Sequence, residues 1–137
     1  MSEDADGWLA DLANPAAADR ATAAFALGGV AKRRRARAIH ALRRALDDPD
    51  EMVAEFAAQS LAMLVDLTSL PAIERRLRMG PPRDRTASAW AVCELGRLAD
   101  GSARLGAIAS LRAFHSRARG WSRNHAALLL KRIHGEG

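Results

Sequence analysis

The sequence is poor in aromatic residues, which make up 4% of its 137 residues, and it contains no tyrosine. Its single cysteine, Cys93, excludes an internal disulfide and has no second cysteine with which to bind zinc. No apolar run approaches the roughly 18 residues of a membrane-spanning helix. The acidic N-terminus also lacks the charged-then-apolar order of a signal peptide. From these absences we expect a cytoplasmic protein without a membrane segment.

Runs of alternating Val, Ile or Thr bounded by hairpin turns are missing as well, so nothing predicts β-strands. Alanine is the commonest residue, and hydrophobic residues make up 49% of the chain. Small helix-forming residues favour closely packed helices. A chain of 137 residues fits one domain. We therefore expect one all-α domain over residues 1–137, with frayed ends at about residues 1–5 and 135–137.

Charge is distributed in blocks along the chain, whose formal net charge is +5. The segment from Lys32 to Leu46 holds seven basic residues and no acidic one, whereas Asp47 to Glu74 holds seven acidic residues and no basic one. From Arg75 onward basic residues again exceed acidic ones, 13 to 4. This layout indicates that successive helices present different charges to solvent. A GC-rich genome also produces an excess of Ala and Arg, so the net charge alone does not indicate a nucleic-acid partner.

An internal repeat runs through the sequence, marked by four leucines at steps of 34, 34 and 35 residues. The leucines are Leu27, Leu61, Leu95 and Leu130. Four residues before each leucine a small apolar pair begins. The pairs are Ala23 and Ala24, Ala57 and Ala58, Ala91 and Val92, and Ala126 and Ala127. Each copy follows residues typical of helix starts, such as Asp48 before Pro49. The period is therefore one pair of helices, as in helical-repeat proteins.

The spacing of apolar residues predicts eight helices. They span Asp6–Ala13, Pro15–Gly28, Arg33–Asp47, Pro49–Val65, Ser69–Met79, Arg83–Leu98, Ser102–Ser116 and Trp121–Ile133. Three of them are expected to bury a stripe of large apolar residues. The stripes are Ile39, Leu42 and Leu46; Leu70, Ile73 and Leu77; and Leu105, Ile108 and Leu111. Gly28 and Gly96 are expected to end helices in a left-handed conformation.

Three stretches, RATAAFALGG, DDPDEMVAEFAAQSLAML and TASAWAVCELGRL, resemble the short bacterial HEAT-like repeats, also called PBS-lyase-type repeats. The pattern of this family is Asp-Pro, Val-Arg, two small residues and Ala-Leu-Gly. Matching positions are Asp48, Pro49, Val53, Arg20, Arg123, Leu27, Gly28, Leu95 and Gly96. The sequence departs at Ala54 and Ser88, where arginine is expected, and at Ala62 and Lys131, where glycine is expected. Tetratricopeptide repeats share the 34-residue period, but their aromatic landmarks are not found at matching offsets.

The resemblance covers Asn14 to Ile133 and implies a fold and a general role. The implied fold is an α-solenoid of about three and a half HEAT-like helical hairpins in a right-handed superhelical stack. The implied role is that of a non-enzymatic scaffold or adaptor for protein–protein interaction. In such solenoids the second helix of each pair generally lines the concave surface, so a partner is expected to bind there.

Basic residues face away from the predicted stripe of the first such helix. They are Arg33, Arg37, His40 and Arg44. The second helix of the following pair, Ser69–Met79, adds Arg75, Arg76 and Arg78. We expect these residues to form a concave basic ridge that binds an acidic segment of a protein partner. Arginine matches carboxylate and phosphate equally well, so nonspecific binding to a nucleic-acid backbone is the alternative. Between Lys32 and Arg78 the only aromatic residue is Phe56, which makes nucleic acid the second choice. A solvated, salt-screened face without any partner is also an open interpretation of these residues.

Residues for catalysis or metal binding do not occur at suitable spacings. His40, His115, His125 and His134 lie on separate predicted elements. Cys93 lies among small core residues, where cysteine acts as an inert apolar side chain. Some HEAT-like proteins are DNA glycosylases that use tryptophans, but Trp90 occupies a packing position in the repeat. We therefore expect no enzymatic activity, no cofactor and no metal ion.

The last predicted helix carries four large apolar residues close together. They are Leu128, Leu129, Leu130 and Ile133. Successive helical residues point about 100° apart, so these four cannot all turn inward. Repeat arrays normally end in a polar cap. We expect Leu128 and Leu129 to form an interface, either for self-association into a homo-oligomer or for another chain; the alternative is that this helix simply caps the array.

Overall fold

The computed structural model describes residues 4–135, and this part of the chain contains eight α-helices and no β-strand. The helices are α1 (Ala5–Asp11), α2 (Ala17–Ala26), α3 (Arg35–Ala45), α4 (Glu51–Met63), α5 (Leu70–Leu77), α6 (Thr86–Leu98), α7 (Gly101–Arg117) and α8 (Gly120–Ile133). Short 3-10 turns occupy Leu27–Gly29, Lys32–Arg34, Leu67–Ser69 and Pro82–Asp84. The predicted all-α class is confirmed, and each predicted helix is present with ends shifted by at most three residues.

Only part of the two ends that were expected to fray is described by the structure. Residues 1–3 and 136–137 lie outside the described part of the chain. Ala5 was expected in a frayed end, but it is the first residue of α1. The Asp4 carboxylate accepts a hydrogen bond of 2.7 Å from the backbone N–H of Gly7 and so caps this helix.

The described residues pack as two compact units that divide after Asp66. The first unit contains α1 to α4 and the second contains α5 to α8. The interpretation of residues 1–137 as one domain stays a prediction.

In the first unit α2 and α4 lie against each other through the small residues of the repeat. Ala23, Ala24, Ala57 and Ala58 are all fully buried. A Cβ atom on Gly28 would lie 2.8 Å from the Ser60 Oγ, so glycine is required here by close packing. The expected left-handed cap at Gly28 is wrong, because this residue lies in a 3-10 turn and its φ is not positive.

The buried face of α3 is centred one position away from the predicted stripe. Leu42 is fully buried and Leu46 is buried, as expected, but Ile39 is only half-buried. The fully buried Ala38 takes its place on the inner face. Because Ala38, Leu42 and Leu46 are spaced four residues apart, they form one stripe along the helix.

The start of α4 lies two residues later than predicted. Asp50 is the N-cap, and its carboxylate accepts a hydrogen bond of 3.1 Å from the Val53 N–H. Asp48, the expected cap, accepts bonds from the Asp50 N–H at 2.9 Å and from Arg20 of α2 at 2.9 and 3.2 Å. Burial would raise the pKa of the Asp48 carboxyl, but the bonds from Arg20 and the Asp50 N–H lower it on balance. This ion pair therefore ties α2 to the beginning of α4.

The end of α4 contains a strained residue. Val65 has a φ of 57°, in the left-handed region that β-branched residues rarely adopt. The N–H of Asp66 donates to the Leu61 carbonyl at 2.9 Å, and the N–H of Val65 donates to the Ala62 carbonyl at 3.0 Å. These bonds satisfy carbonyl groups that a helix end leaves free.

In the second unit α6 packs against α5, α7 and α8. A Cβ atom on Gly96 would lie 2.5 Å from the Ala107 Cβ and 2.8 Å from the Ile133 Cδ1. Gly96 lies inside α6 and its φ is not positive, so the predicted left-handed cap is wrong here too. The absence of a side chain at Gly96 lets α6 approach α7 and α8 closely.

The predicted stripes of this unit are right for α5 and partly wrong for α7. Leu70, Ile73 and Leu77 of α5 are all buried. In α7, however, Leu105 is 67% exposed. The buried residues of α7 are Ala107, Ile108, Leu111 and Phe114. Its inner face therefore begins with the small Ala107 that packs against Gly96.

Candidate functional site

Four basic side chains were predicted on the helix that corresponds to α3, and they lie on one side of it. Arg37, His40 and Arg44 follow one another at helical spacing, and Arg33 precedes them in the 3-10 turn that leads into the helix. All four are exposed. We call these four residues the α3 ridge. They point away from Leu42, because the buried residues of α3 occupy its opposite side.

The members of the α3 ridge differ in how far their charge is compensated. Arg37 Nη1 lies 3.4 Å from the Asp6 Oδ1 of α1, and Asp6 also pairs with Arg34. Arg33 and Arg44 have no hydrogen-bond or ion-pair partner within residues 4–135. Two exposed guanidinium groups of the α3 ridge are thus unpaired within the described residues.

The second predicted basic group lies on α5 and directly after it, in the second unit. Arg75 and Arg78 are exposed, whereas Arg76 is half-buried and has an interaction of its own. The carbonyl of Arg76 accepts a bond of 3.1 Å from the Arg85 Nε. Arg75 and Arg78 are consequently the members of this group with fully accessible charges.

Many of the remaining arginines bind backbone carbonyls at helix ends, which sequence reasoning did not identify. Arg104 donates to the Arg97 carbonyl at 3.2 Å and to the Ile133 carbonyl at 2.6 Å, so it caps the C-terminal ends of both α6 and α8. Arg117 does the same for the end of α5, through the carbonyls of Leu77 at 3.2 Å and Gly80 at 2.8 Å. Positive charge is favourable at helix C-termini because the free carbonyls carry partial negative charge.

Two adjoining clefts lie between α1 and α3, beside the α3 ridge. One has a volume of about 380 Å³ and the other about 410 Å³. Both are lined by Leu9 of α1 and Ala41 of α3. Arg44 borders the first cleft, and Arg37 and His40 border the second. We call the two together the α1–α3 groove.

The two leucines predicted to form a C-terminal interface, Leu128 and Leu129, differ in their exposure to solvent. Leu128 is 65% exposed, as expected, but Leu129 is buried and packs on the inner side of α8. The expectation that both project outward is wrong for Leu129, because it lies on the same helical face as Ala126 and Ile133. Leu128 remains available for an interface, and that interface stays a prediction.

Another exposed feature of α8 is an aromatic pair near its start. Trp121 is 69% exposed and stacks on His125, with ring centroids 5.1 Å apart and an angle of 5° between the rings. Burial lowers the pKa of the half-buried His125, and a hydrogen bond with the Thr86 backbone partly opposes this. One face of the Trp121 ring is therefore covered by His125, while most of the residue remains exposed to solvent.

The structure bears on two kinds of side chain considered in the sequence analysis, the possible metal ligands and the single cysteine. No group of three or more His, Cys, Asp or Glu residues within residues 4–135 is arranged to hold a metal ion. Cys93 is fully buried, and its Sγ donates to the Leu129 carbonyl at 3.4 Å. Burial raises the pKa of this thiol to about 11, so it stays protonated at neutral pH.

Taken together, paired helices at a 34-residue period and small residues at the helix contacts define an α-helical repeat protein. The family model of the HEAT repeats matches residues 5–93, more than half of the chain, and the chain belongs to that family. HEAT repeats commonly form protein-interaction scaffolds, and the family is generally non-catalytic. The comparison with curated proteins finds no match. Within residues 4–135, no helix combines the length and the apolar character needed to cross a membrane.

Proposed function

We propose that this HEAT-repeat chain is a non-enzymatic adaptor whose α3 ridge binds an acidic segment of a protein partner. The observation that carries the proposal is the grouping of exposed basic side chains on one side of α3, where the fold leaves two of the arginines unpaired. Arg20, Arg35 and Arg43 are engaged by carboxylates or carbonyls of their own unit. Arg33 and Arg44 are exposed and have no partner among the described residues. Arg75 of α5 and Arg78, the residue that follows α5, are a second proposed contact group.

Exposed arginines of this kind act mainly on the rate and specificity of association. Complementary charges steer a partner toward the surface, and their effect weakens as the ionic strength rises. Guanidinium groups also form paired hydrogen bonds with carboxylates, which fixes the orientation of an acidic segment. A partner held in this way is released by salt. The free, buried thiol of Cys93 supports a reducing compartment such as the cytoplasm as the place of action.

The alternative partner is a nucleic acid, since arginine binds phosphate equally well. Binding to single strands commonly uses aromatic side chains on which bases stack. The α3 helix carries no Phe, Tyr or Trp, and Phe25 and Phe56 of the first unit contact each other, with ring centroids 5.3 Å apart. A protein partner is therefore the better-supported choice.

The experiment that separates these partners is capture from a native lysate of the source cells on the immobilised chain, with and without nuclease digestion. We expect a protein to be retained in both samples and released by salt. We also expect no mobility shift of duplex or single-stranded oligonucleotides at low salt. Retention that disappears after nuclease digestion, together with an oligonucleotide shift, would contradict the proposal and support the nucleic-acid alternative.

A further inference from the structure

The α1–α3 groove combines an apolar floor with a basic rim. Leu9 and Ala41 form the floor that its two clefts share. Arg44 lies at the rim of one cleft, and Arg37 and His40 lie at the rim of the other. The cleft volumes, about 380 and 410 Å³, fall within the roughly 300–1,000 Å³ of typical ligand sites. This part of the surface can therefore bury an apolar group and bind an anion at the same time.

Small side chains on α3 keep this groove open. Ala36, Ala41 and Ala45 all line it, and larger residues at these positions would fill it. The helix on the other side, α1, has no fully buried residue, and its Leu9 is only half-buried. Apolar surface is thus left partly in contact with water, and covering it is favourable in proportion to its area.

The charge of the groove selects for an acidic occupant. Arg44 has no partner within the described residues, and Arg37 shares the exposed Asp6 with Arg34. The acidic residue that lines the groove, Asp48, is neutralised by two hydrogen bonds from Arg20. A carboxylate entering here meets guanidinium groups that no buried acid compensates, whereas a lysine or arginine would be repelled.

We propose that the α1–α3 groove binds a short acidic peptide segment of the partner. One leucine-sized side chain lies against Leu9 and Ala41, and flanking carboxylates pair with Arg37 and Arg44. The inference rests on the proposed function, because it assumes a protein partner at the α3 ridge. It adds that recognition requires an apolar side chain as well as negative charge.

Two fluorescein-labelled peptides test this inference by fluorescence anisotropy at low salt. Both consist of glutamates around one central residue, which is leucine in the first and alanine in the second. We expect the leucine peptide to bind about fivefold more tightly, because the larger side chain removes more apolar surface from water. Equal affinities of the two peptides would overturn the groove inference and leave the proposed function standing.

Variants locate the effect in the groove. Ala41→Phe fills the floor at a half-exposed position and should abolish the preference for leucine while keeping the alanine peptide bound. Ala18→Phe adds the same side chain at an exposed position of α2 and should keep the preference. A preference that survives in Ala41→Phe would also overturn the inference. The double variant Arg37→Glu and Arg44→Glu should abolish binding of both peptides. If both peptides still bind to it, the proposed function is contradicted.

Discussion

Arg43 of α3 holds the carboxylate of Asp66 with two hydrogen bonds, of 2.8 and 2.6 Å, directly after the left-handed residue Val65. The guanidinium of Arg35, from the same helix, donates to the carbonyl of Leu64. The turn that ends α4 is thus fixed by two arginines of α3. These contacts keep Val65 in a conformation that a β-branched side chain disfavours.

Val65→Gly should therefore stabilise the protein. Glycine adopts positive φ without a steric penalty, and Val65 is 44% exposed, so the packing lost with its side chain is less than at a core position. We expect the free energy of unfolding to rise by about 1 kcal/mol, measured by urea denaturation. Gly101→Ala is the opposite control, because Gly101 has a φ of 55° with no atom near the added Cβ, and it should destabilise. A loss of stability in Val65→Gly would refute this interpretation of the turn.

The helices were predictable from sequence because their signals are local. The small pair Ala57 and Ala58 recurs at the repeat period. Pro49 follows an acidic residue just before the next helix begins. The exposure of Leu105 and the burial of Leu129 were not predictable, because they depend on which side of a helix meets its neighbours. The same is true of Arg104, which binds the ends of two helices that only the fold brings together.

Gly96→Ala tests the close approach of α6 to α7 and α8. Alanine normally stabilises a helix relative to glycine by roughly 0.5–1 kcal/mol. At Gly96 the added methyl would meet the Ala107 Cβ at 2.5 Å, so we expect a net destabilisation of about 1–3 kcal/mol by thermal or urea unfolding. Gly29→Ala is the matched control, since its Cβ would meet no atom within 4 Å. An increase in stability in Gly96→Ala would show that the helices are not packed as described.

Cys93 should be unreactive in the folded protein. Burial raises the pKa of its thiol to about 11, so at pH 8 the reactive thiolate is scarce, and the sulfur is also shielded from solvent. We expect a disulfide reagent to label Cys93 at pH 8 only when urea unfolds the chain. Rapid labelling of the folded protein, with its helical circular dichroism intact, would contradict the buried position of this residue.

Leu128 and Leu129 should respond in opposite ways to a charged substitution. Leu128→Glu changes an exposed side chain and should leave the melting temperature nearly unchanged, whereas Leu129→Glu places a charge in the core and should destabilise strongly. If α8 mediates self-association, light scattering across a concentration series should show a dimer that Leu128→Glu dissociates. A wild-type protein that is monomeric at all concentrations would refute self-association.

The most direct test of the central claim is charge reversal on the α3 ridge. Arg33, Arg37 and Arg44 are replaced together by Glu, and retention of the protein partner from a nuclease-treated lysate is quantified. The control replaces Arg83, Arg112 and Lys131 by Glu; these three residues are also exposed and have no partner among the described residues. With circular dichroism unchanged in both variants, the account predicts that the ridge variant loses retention about tenfold or more while the control stays close to wild type. Equal retention by the two variants would contradict the account.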